Sequence, residues 1–485
     1  MSISGSLNNA LSGLAAASRA ADIVSSNVAN AMTDGYGRRE LELSARTVAG
    51  NGAGVDVVGV TRHSDPQLLG ERRAADAEVA MNAERLEFFE RMERAIGIPG
   101  DESSLANQIS HFESTLVEAS SSPESDTRLG AVLDAAQSIV KHLNATSDEI
   151  QTTRMEADQA IGRTVDTLNE NLQKVVDLNV EIQQQLTSGR DATALMDHRQ
   201  VLIDSIAEVI PVKEVAKENG KVSLYTPGGA ILVDSKAAEI GFSSVGVITA
   251  DMTLASGALS GLTINGQPTT TSSSRSPIEG GRLAALFEVR DELATGAQAQ
   301  LDAVARDLIE RFEDPGVDPS LLAGDPGLFT DAGAALDVLD EVGLAGRLSV
   351  NAAVDPSAGG ALWRLRAGVN AASAGEVGDS TLLNAMQDAM SATRTPASGG
   401  FSPLARSASQ LAADFLSNIE GSLLSAQSES SYATAKSDSL RDLELKEGVD
   451  TDQEMQKLLL IEQMYAANAR VVSTIDTLIG QLLEI

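Results

Sequence analysis

Apolar residues recur over the first thirty positions at alternating steps of four and three: Ile3, Leu7, Ala10, Leu14, Ala17, Ala21, Val24 and Val28. That rhythm is the seam of a helix packed against another helix. It stops at Asn30, and Asp34-Gly35 supplies a turn. A matching stripe lies near the other end: Leu458, Ile461, Tyr465, Asn468, Val472, Ile475, Ile479 and Leu482. Its one polar member, Asn468, either fixes register inside the seam at some cost in stability or sits at the seam's edge. The spacing therefore predicts two terminal helices with complementary apolar faces.

A third 4-3 rhythm runs through Val132, Ala136, Ile139, Leu143, Thr146, Ile150, Thr153 and Ala157. It resumes after one skipped beat at Ile161, Val165, Leu168, Leu172, Val175, Asn179, Ile182 and Leu186. As one helix this stretch would span on the order of 80 Å, although the phase slip near Gly162 could instead mark a break. Leu86, Phe89, Met92 and Ile96 make one shorter apolar face, and Leu105, Ile109, Phe112 and Leu116 another. Further helices are expected over Leu283–Phe312 and about Leu404–Leu445. All 13 prolines fall between Pro66 and Pro403, leaving the three long-helix stretches free of a residue that breaks helices.

The middle of the chain has a different texture. Val222–Tyr225 and Ala230–Val233 read as strands joined by a Pro227-Gly228-Gly229 turn, and a Thr/Ser tract covers 269–274. Residues 313–400 are rich in Gly, Pro, Asp and Ala, with a candidate strand pair at Leu348–Val350 and Leu362–Leu365. The fold class expected is mainly α with a minor β part. Its units are a terminal coiled coil (1–40 with 446–485), a long-helix bundle (41–312 with 401–445) carrying a β-hairpin region at 212–275, and a small inserted α+β outer domain at 313–400.

Composition narrows the function. The 485 residues carry a net charge of −33, which disfavours nucleic acid and anionic membranes as partners. Residues 1–39 are nearly neutral, as an end buried in an assembly would be. There is no cysteine, so disulfides and thiolate chemistry are excluded. No stretch approaches a membrane span, and no Sec signal is legible, so an export route other than Sec is expected if the protein leaves the cell.

Candidate chemistry is sparse. His63, His111, His142 and His198 lack metal-ligand spacing, and neither a GxSxG elbow nor a Walker A motif is present. Gly50-Asn51-Gly52-Ala53-Gly54 precedes a β-like run rather than opening a helix, which makes it a hairpin loop and not a phosphate cradle. Asp314, Asp318 and Asp325 lack the alternation of an EF-hand and read as solvated turn aspartates. No catalytic, metal or cofactor residue is expected.

The motif Ala10–Leu14 followed by Ser25–Arg38 resembles the amino-terminal signature of flagellar rod, hook and hook-associated axial proteins. Asp34 and Gly37 stand where members often have proline and serine. Gly54–Val57 through Arg62 and Asp65 is similar to the family's next segment, and Gly448–Asp450 with Gln463–Val472 to its carboxy-terminal signature. Leu195–Ile203, the Lys221–Val233 hairpin and Gly280–Leu286 are similar to the hook-associated branch. The resemblance implies an elongated axial protein in the extracellular flagellum, at the hook–filament junction. It implies type III export, a ring of copies of itself, contacts with hook protein and the next hook-associated protein, and a cytoplasmic chaperone on the carboxy-terminal helix before export. The two terminal seams are the candidate assembly interface. Another axial protein, of hook or distal rod, is one alternative; an exported wall-hydrolysing enzyme is another of a different class.

Overall fold

The computed structural model describes residues 3–48, 51–98, 100–271 and 276–483. The chain opens with α1 (Ile3–Ala29) and a long antiparallel hairpin, β1 (Arg38–Val48) and β2 (Asn51–His63), whose register shifts twice. Helix α2 (Pro66–Ile96) starts where its sequence says it should. Asp65 caps it by accepting from the backbone N–H of Gln67 and Leu68, and Pro66 occupies the first turn, where no donor is lost. Helices α3 (Leu105–Ser120), α4 (Asp126–Thr187) and α5 (Thr193–Val209) follow.

Helix α4 is the axis of the body. Its 62 residues extend about 90 Å and run unbroken through Gly162, so the phase slip is a shift of the buried face and not a break. Of the sixteen seam positions read from the sequence, all but Leu186 are buried. Around α4 lie two three-stranded sheets, β3 (Lys213–Ala216) with β4 (Val222–Tyr225) and β5 (Ile231–Val233), and β6 (Ile240–Gly241) with β7 (Leu262–Ile264) and β8 (Gln267–Thr269). The Pro227-Gly228-Gly229 turn falls where expected, while Ser272–Ser274 of the Thr/Ser tract lie outside the described residues.

The helix expected over Leu283–Phe312 is α6 (Gly281–Glu288) and α7 (Ala294–Phe312), joined through a π-helical turn at Val289–Leu293. In that turn Arg290 is fully buried. It donates to Asp158 of α4 at 2.7 Å, to both carboxylate oxygens of Asp291 at 2.8 Å and to the Ser260 carbonyl at 3.0 Å. Arg154, also buried, donates to the carbonyls of Arg290, Thr249 and Met252. Two arginines thus tie the 249–260 loop to the central helix.

Residues 313–400, expected as a small outer domain, draw on the same hydrophobic core as α3, α4 and α7. Phe329 packs against Phe112 and Phe312 with ring centroids 5.8 and 5.3 Å away. The strand pair here is β9 (Phe329–Asp331) with β10 (Leu348–Val350). Leu362–Leu365 is not a strand, because it leads into a helical turn. Short helices α8 (Leu344–Arg347) and α9 (Arg364–Ala367), then α10 (Thr381–Ser391), complete the segment. Asp318 is buried rather than solvated, accepting from the backbone N–H of Ser320 and Val369. Helix α11 (Ala408–Glu447), begun by a Ser407/Gln410 capping box, returns along α2 to α12 (Thr451–Leu483).

One buried acid gives the body a pH signature. Asp302 of α7 accepts from the backbone N–H of Gly343 and Ala345 and from Gln298. Burial nonetheless pushes its carboxyl up to about 6. The folded chain therefore holds this proton more tightly than the unfolded chain. Its contribution to stability is fully present below about pH 4 and is lost as pH rises through about 6, by on the order of 3 kcal/mol. Asp302→Asn should flatten that slope in urea unfolding curves measured across the interval.

Candidate assembly interface

Among the described residues, the main core runs from Phe88 to Ile419 and takes nothing from α1, β1, β2 or α12. Those four elements form a separate terminal module. Within it α1 and α12 are antiparallel, since Asn27 meets Glu454 while Gly13 faces Asn468. Helix α1 has two partners. Its other side leans on the hairpin, where the Ser12 hydroxyl accepts from the Val55 N–H at 3.1 Å. Helix α12 packs chiefly on α1.

A polar lock sets the register of the pair. Asn27 is fully buried, and its amide uses every hydrogen-bonding capacity it has. Its Nδ2 donates to the Arg39 carbonyl at 2.8 Å and to Glu454 Oε2 at 2.9 Å. Its Oδ1 accepts from the Tyr36 hydroxyl at 2.8 Å and the Arg39 N–H at 3.0 Å. Glu454, equally buried, takes Lys457 at 2.7 Å and lies 3.9 Å from Arg38. The module joins the body through polar contacts as well. Asp197 of α5 accepts from the Gly37 N–H at 3.0 Å, from Arg39 at 2.7 Å and from Arg62 at 2.6 Å.

The predicted seams are only partly the observed ones. Ala10, Ala17 and Val24 are buried, Ile3 is exposed, and Leu7, Leu14, Ala21 and Val28 are half-buried. The face turned inward follows Ala10, Gly13, Ala17, Ala20, Val24 and Asn27 instead. Its small residues let the helices approach closely, and a count of apolar side chains passes over both Gly13 and Asn27. Of the predicted α12 positions, Ile475 alone is buried. Leu458, Ile461, Asn468 and Val472 are half-covered, while Tyr465, Ile479 and Leu482 are exposed. Asn468 belongs to the seam: a Cβ at Gly13 would stand 2.7 Å from its Nδ2. Gly13→Leu should therefore destabilise the pair by about 1–3 kcal/mol. Adding Asn468→Ala should recover part of the loss, read as protease protection of residues 451–483.

Among the described residues, a second stripe on α12 has no partner. Leu460, Met464, Ala467, Val471, Thr474 and Leu478 repeat the 4-3 rhythm one position before the seam. All six are exposed, Leu460 by 59%. With Leu459, Tyr465 and Leu482 they make an open apolar surface along the helix, of the kind that marks a protein contact. The histidines assemble nothing comparable. His63 faces Glu40 at 3.1 Å, His142 faces Gln108 at 3.1 Å, and among the described residues no three metal-ligating side chains converge.

Comparison with known proteins matches these parts one by one. Residues 7–36, covering α1 and its turn, match the family described as flagella basal body rod protein. Residues 446–485 match the carboxy-terminal region of the flagellar basal body rod FlgEFG proteins. Residues 89–319, the body built on α4, match the helical domain of flagellar hook-associated protein FlgK. The body thus resembles flagellar hook-associated proteins, and the two ends resemble flagellar rod proteins. Flagellar hook-associated protein 1 of Escherichia coli (strain K12) is 26% identical over 239 residues, covering 48% of this chain and 43% of the relative. Its counterpart in Bacillus subtilis (strain 168) is 24% identical over 240 residues, covering 47% of each. The matched part thus spans under half the length of these hook-associated relatives. The solved structure of the flagellar hook junction protein FlgK from Burkholderia pseudomallei is 18% identical with a TM-score of 0.44, covering 55% of this chain and 46% of that one.

Proposed function

We propose that the chain is a structural adaptor joining the flagellar hook to the filament, without a catalytic step of its own. The observation that carries this reading is the second apolar stripe of α12. One face of the helix holds α1, and the adjacent face lies open for neighbouring subunits. Ala10, Gly13, Ala17 and Val24 of α1, with Ile475 and the half-covered Leu458, Ile461, Asn468 and Val472 of α12, form the interface between the terminal helices. The stripe from Leu460 to Leu478 then carries the contact to the next copy in a short ring. Hook protein and the following hook-associated protein lie on either side of that ring. The chain reaches the extracellular flagellum by type III export, and the same open stripe gives a cytoplasmic chaperone an apolar face to cover beforehand.

Electron microscopy of a strain lacking the gene tests this directly. Hooks without filaments are expected, with filaments restored by the intact gene and not by one encoding Leu460→Asp with Val471→Asp. Normal filaments in the deletion strain would contradict the junction role.

A further inference from the structure

A second surface, beside the β1–β2 hairpin, gathers basic side chains on an acidic chain. Between the start of α2, helix α5 and strand β3 lies a cleft of about 720 Å³. Its floor is aliphatic, with Leu69, Ile203 and Val212 all buried. Its walls carry Arg62, Arg73, Arg199, Lys213, Lys217 and Lys221 against Glu71 and Glu214. In a chain of net charge −33 with 36 lysines and arginines, such a concentration needs a reason.

Part of it is structural. Arg62 is spent on Asp197, and Lys217 lies 3.5 Å from Asp234. Lysines along an edge strand also guard against unwanted pairing, and β3 ends its sheet. Neither account covers the spare Nη2 of Arg73 or the guanidinium of Arg199. Arg73 is 3% exposed; its Nε donates to Asp204 and its Nη1 to Glu214, but its Nη2 has no hydrogen-bond partner. Arg199 is 7% exposed and makes no salt bridge among the described residues. Its Nη1 donates only to neutral oxygens, Asn179 Oδ1 at 2.8 Å and the Gly220 carbonyl at 2.7 Å. Consistent with this, desolvation, only partly offset by the charge of Glu214, brings its guanidinium down to about 10. Lys213 and Lys221 also make no salt bridge among the described residues. A buried guanidinium lacking an anion is costly unless one is supplied from outside.

We propose that this cleft docks an acidic peptide segment of a partner polypeptide, a carboxylate facing Arg73 and Arg199 and an aliphatic neighbour resting on the Leu69–Ile203 floor. The charge pattern selects the carboxylate, and the length and apolar floor of the cleft select a segment of chain over a lone ion. The free edge of β3 beside it offers backbone groups to an extended ligand.

Fluorescence anisotropy on the full chain tests this with a labelled Ac-Glu-Leu-Asp-Leu-Glu-amide peptide and its Gln/Asn counterpart. The acidic peptide should bind, weaken as salt rises, and outcompete inorganic phosphate. The uncharged peptide should bind at least about tenfold more weakly. Arg199→Met should remove binding. Because that change could disturb folding, exposed Lys213→Glu with half-buried Lys221→Glu serves as a second variant, with an expected loss of about tenfold or more. Equal binding of both peptides, unchanged binding in the double variant, or phosphate competing as well as the peptide would each overturn the proposal.

Discussion

Ile475→Asp is expected to eliminate the protein from assembled flagella while leaving its body folded. Ile475 is the one seam residue of α12 that α1 buries, at 6% exposure. Removing it forfeits about 1.5–3 kcal/mol of apolar burial. A carboxylate in its place adds the cost of a buried charge without a partner. An isolated helix of this length is marginal in water, so α12 should detach, and protease should cleave it in the variant at rates far above wild type. The body's core takes no residue from α1, the hairpin or α12, so the thermal transition of the body should hardly move. Normal incorporation of the variant would sink the reading of the terminal pair as the assembling element.

The second large effect lies inside the body. Arg290 and Asp158 are both fully buried, 2.7 Å apart, and link the π turn to the central helix. Asp158 also accepts from the Val245 N–H at 2.7 Å. Asp158→Ala leaves a buried guanidinium short of one carboxylate and a backbone donor unpaired, so unfolding in urea should show a loss of about 3–5 kcal/mol. Asp291 remains to hold two arginine nitrogens, which places the expected value toward the lower end. Replacing both partners by apolar residues, Asp158→Leu with Arg290→Met, should recover much of that loss. A double variant as unstable as the single one would show that the geometry of the network, rather than charge compensation, carries the stability.

What could be read from the sequence was whatever repeats with a helix period. The α4 seam appeared almost position by position, because a helix buried on one side must place an apolar residue every third or fourth step. The ends of α1 and α12 were legible for the same reason. The inward face of α1 was displaced, because two of its contacts are made by residues invisible to an apolar count. Gly13 contributes by having no side chain, and Asn27 is a polar group whose four hydrogen bonds come from residues that only the fold brings near. Glu454 is hidden in the same way: an acid looks solvated until Asn27 and Lys457 are placed beside it. The second stripe of α12 was present in the sequence, at the same spacing and one residue out of phase. Once one seam had been found, nothing in the pattern required a second. In the 313–400 segment the loop-like composition suggested independence, whereas Phe329 and the Gly343 and Ala345 N–H groups that donate to Asp302 anchor it to α3 and α7.

The account rests on one chain folding its two ends against each other inside the flagellum. The absence of cysteine allows a clean measurement. A Cβ at position 13 would lie 3.0 Å from Asn468 Cγ, so the doubly substituted G13C/N468C chain should cross-link on mild oxidation. In hook–filament particles purified from a strain carrying only that chain, the account predicts a looped, faster-migrating monomer on denaturing gels. Its reduction should restore normal mobility. A cross-link found only between chains, or a cross-linked protein absent from those particles, would contradict it.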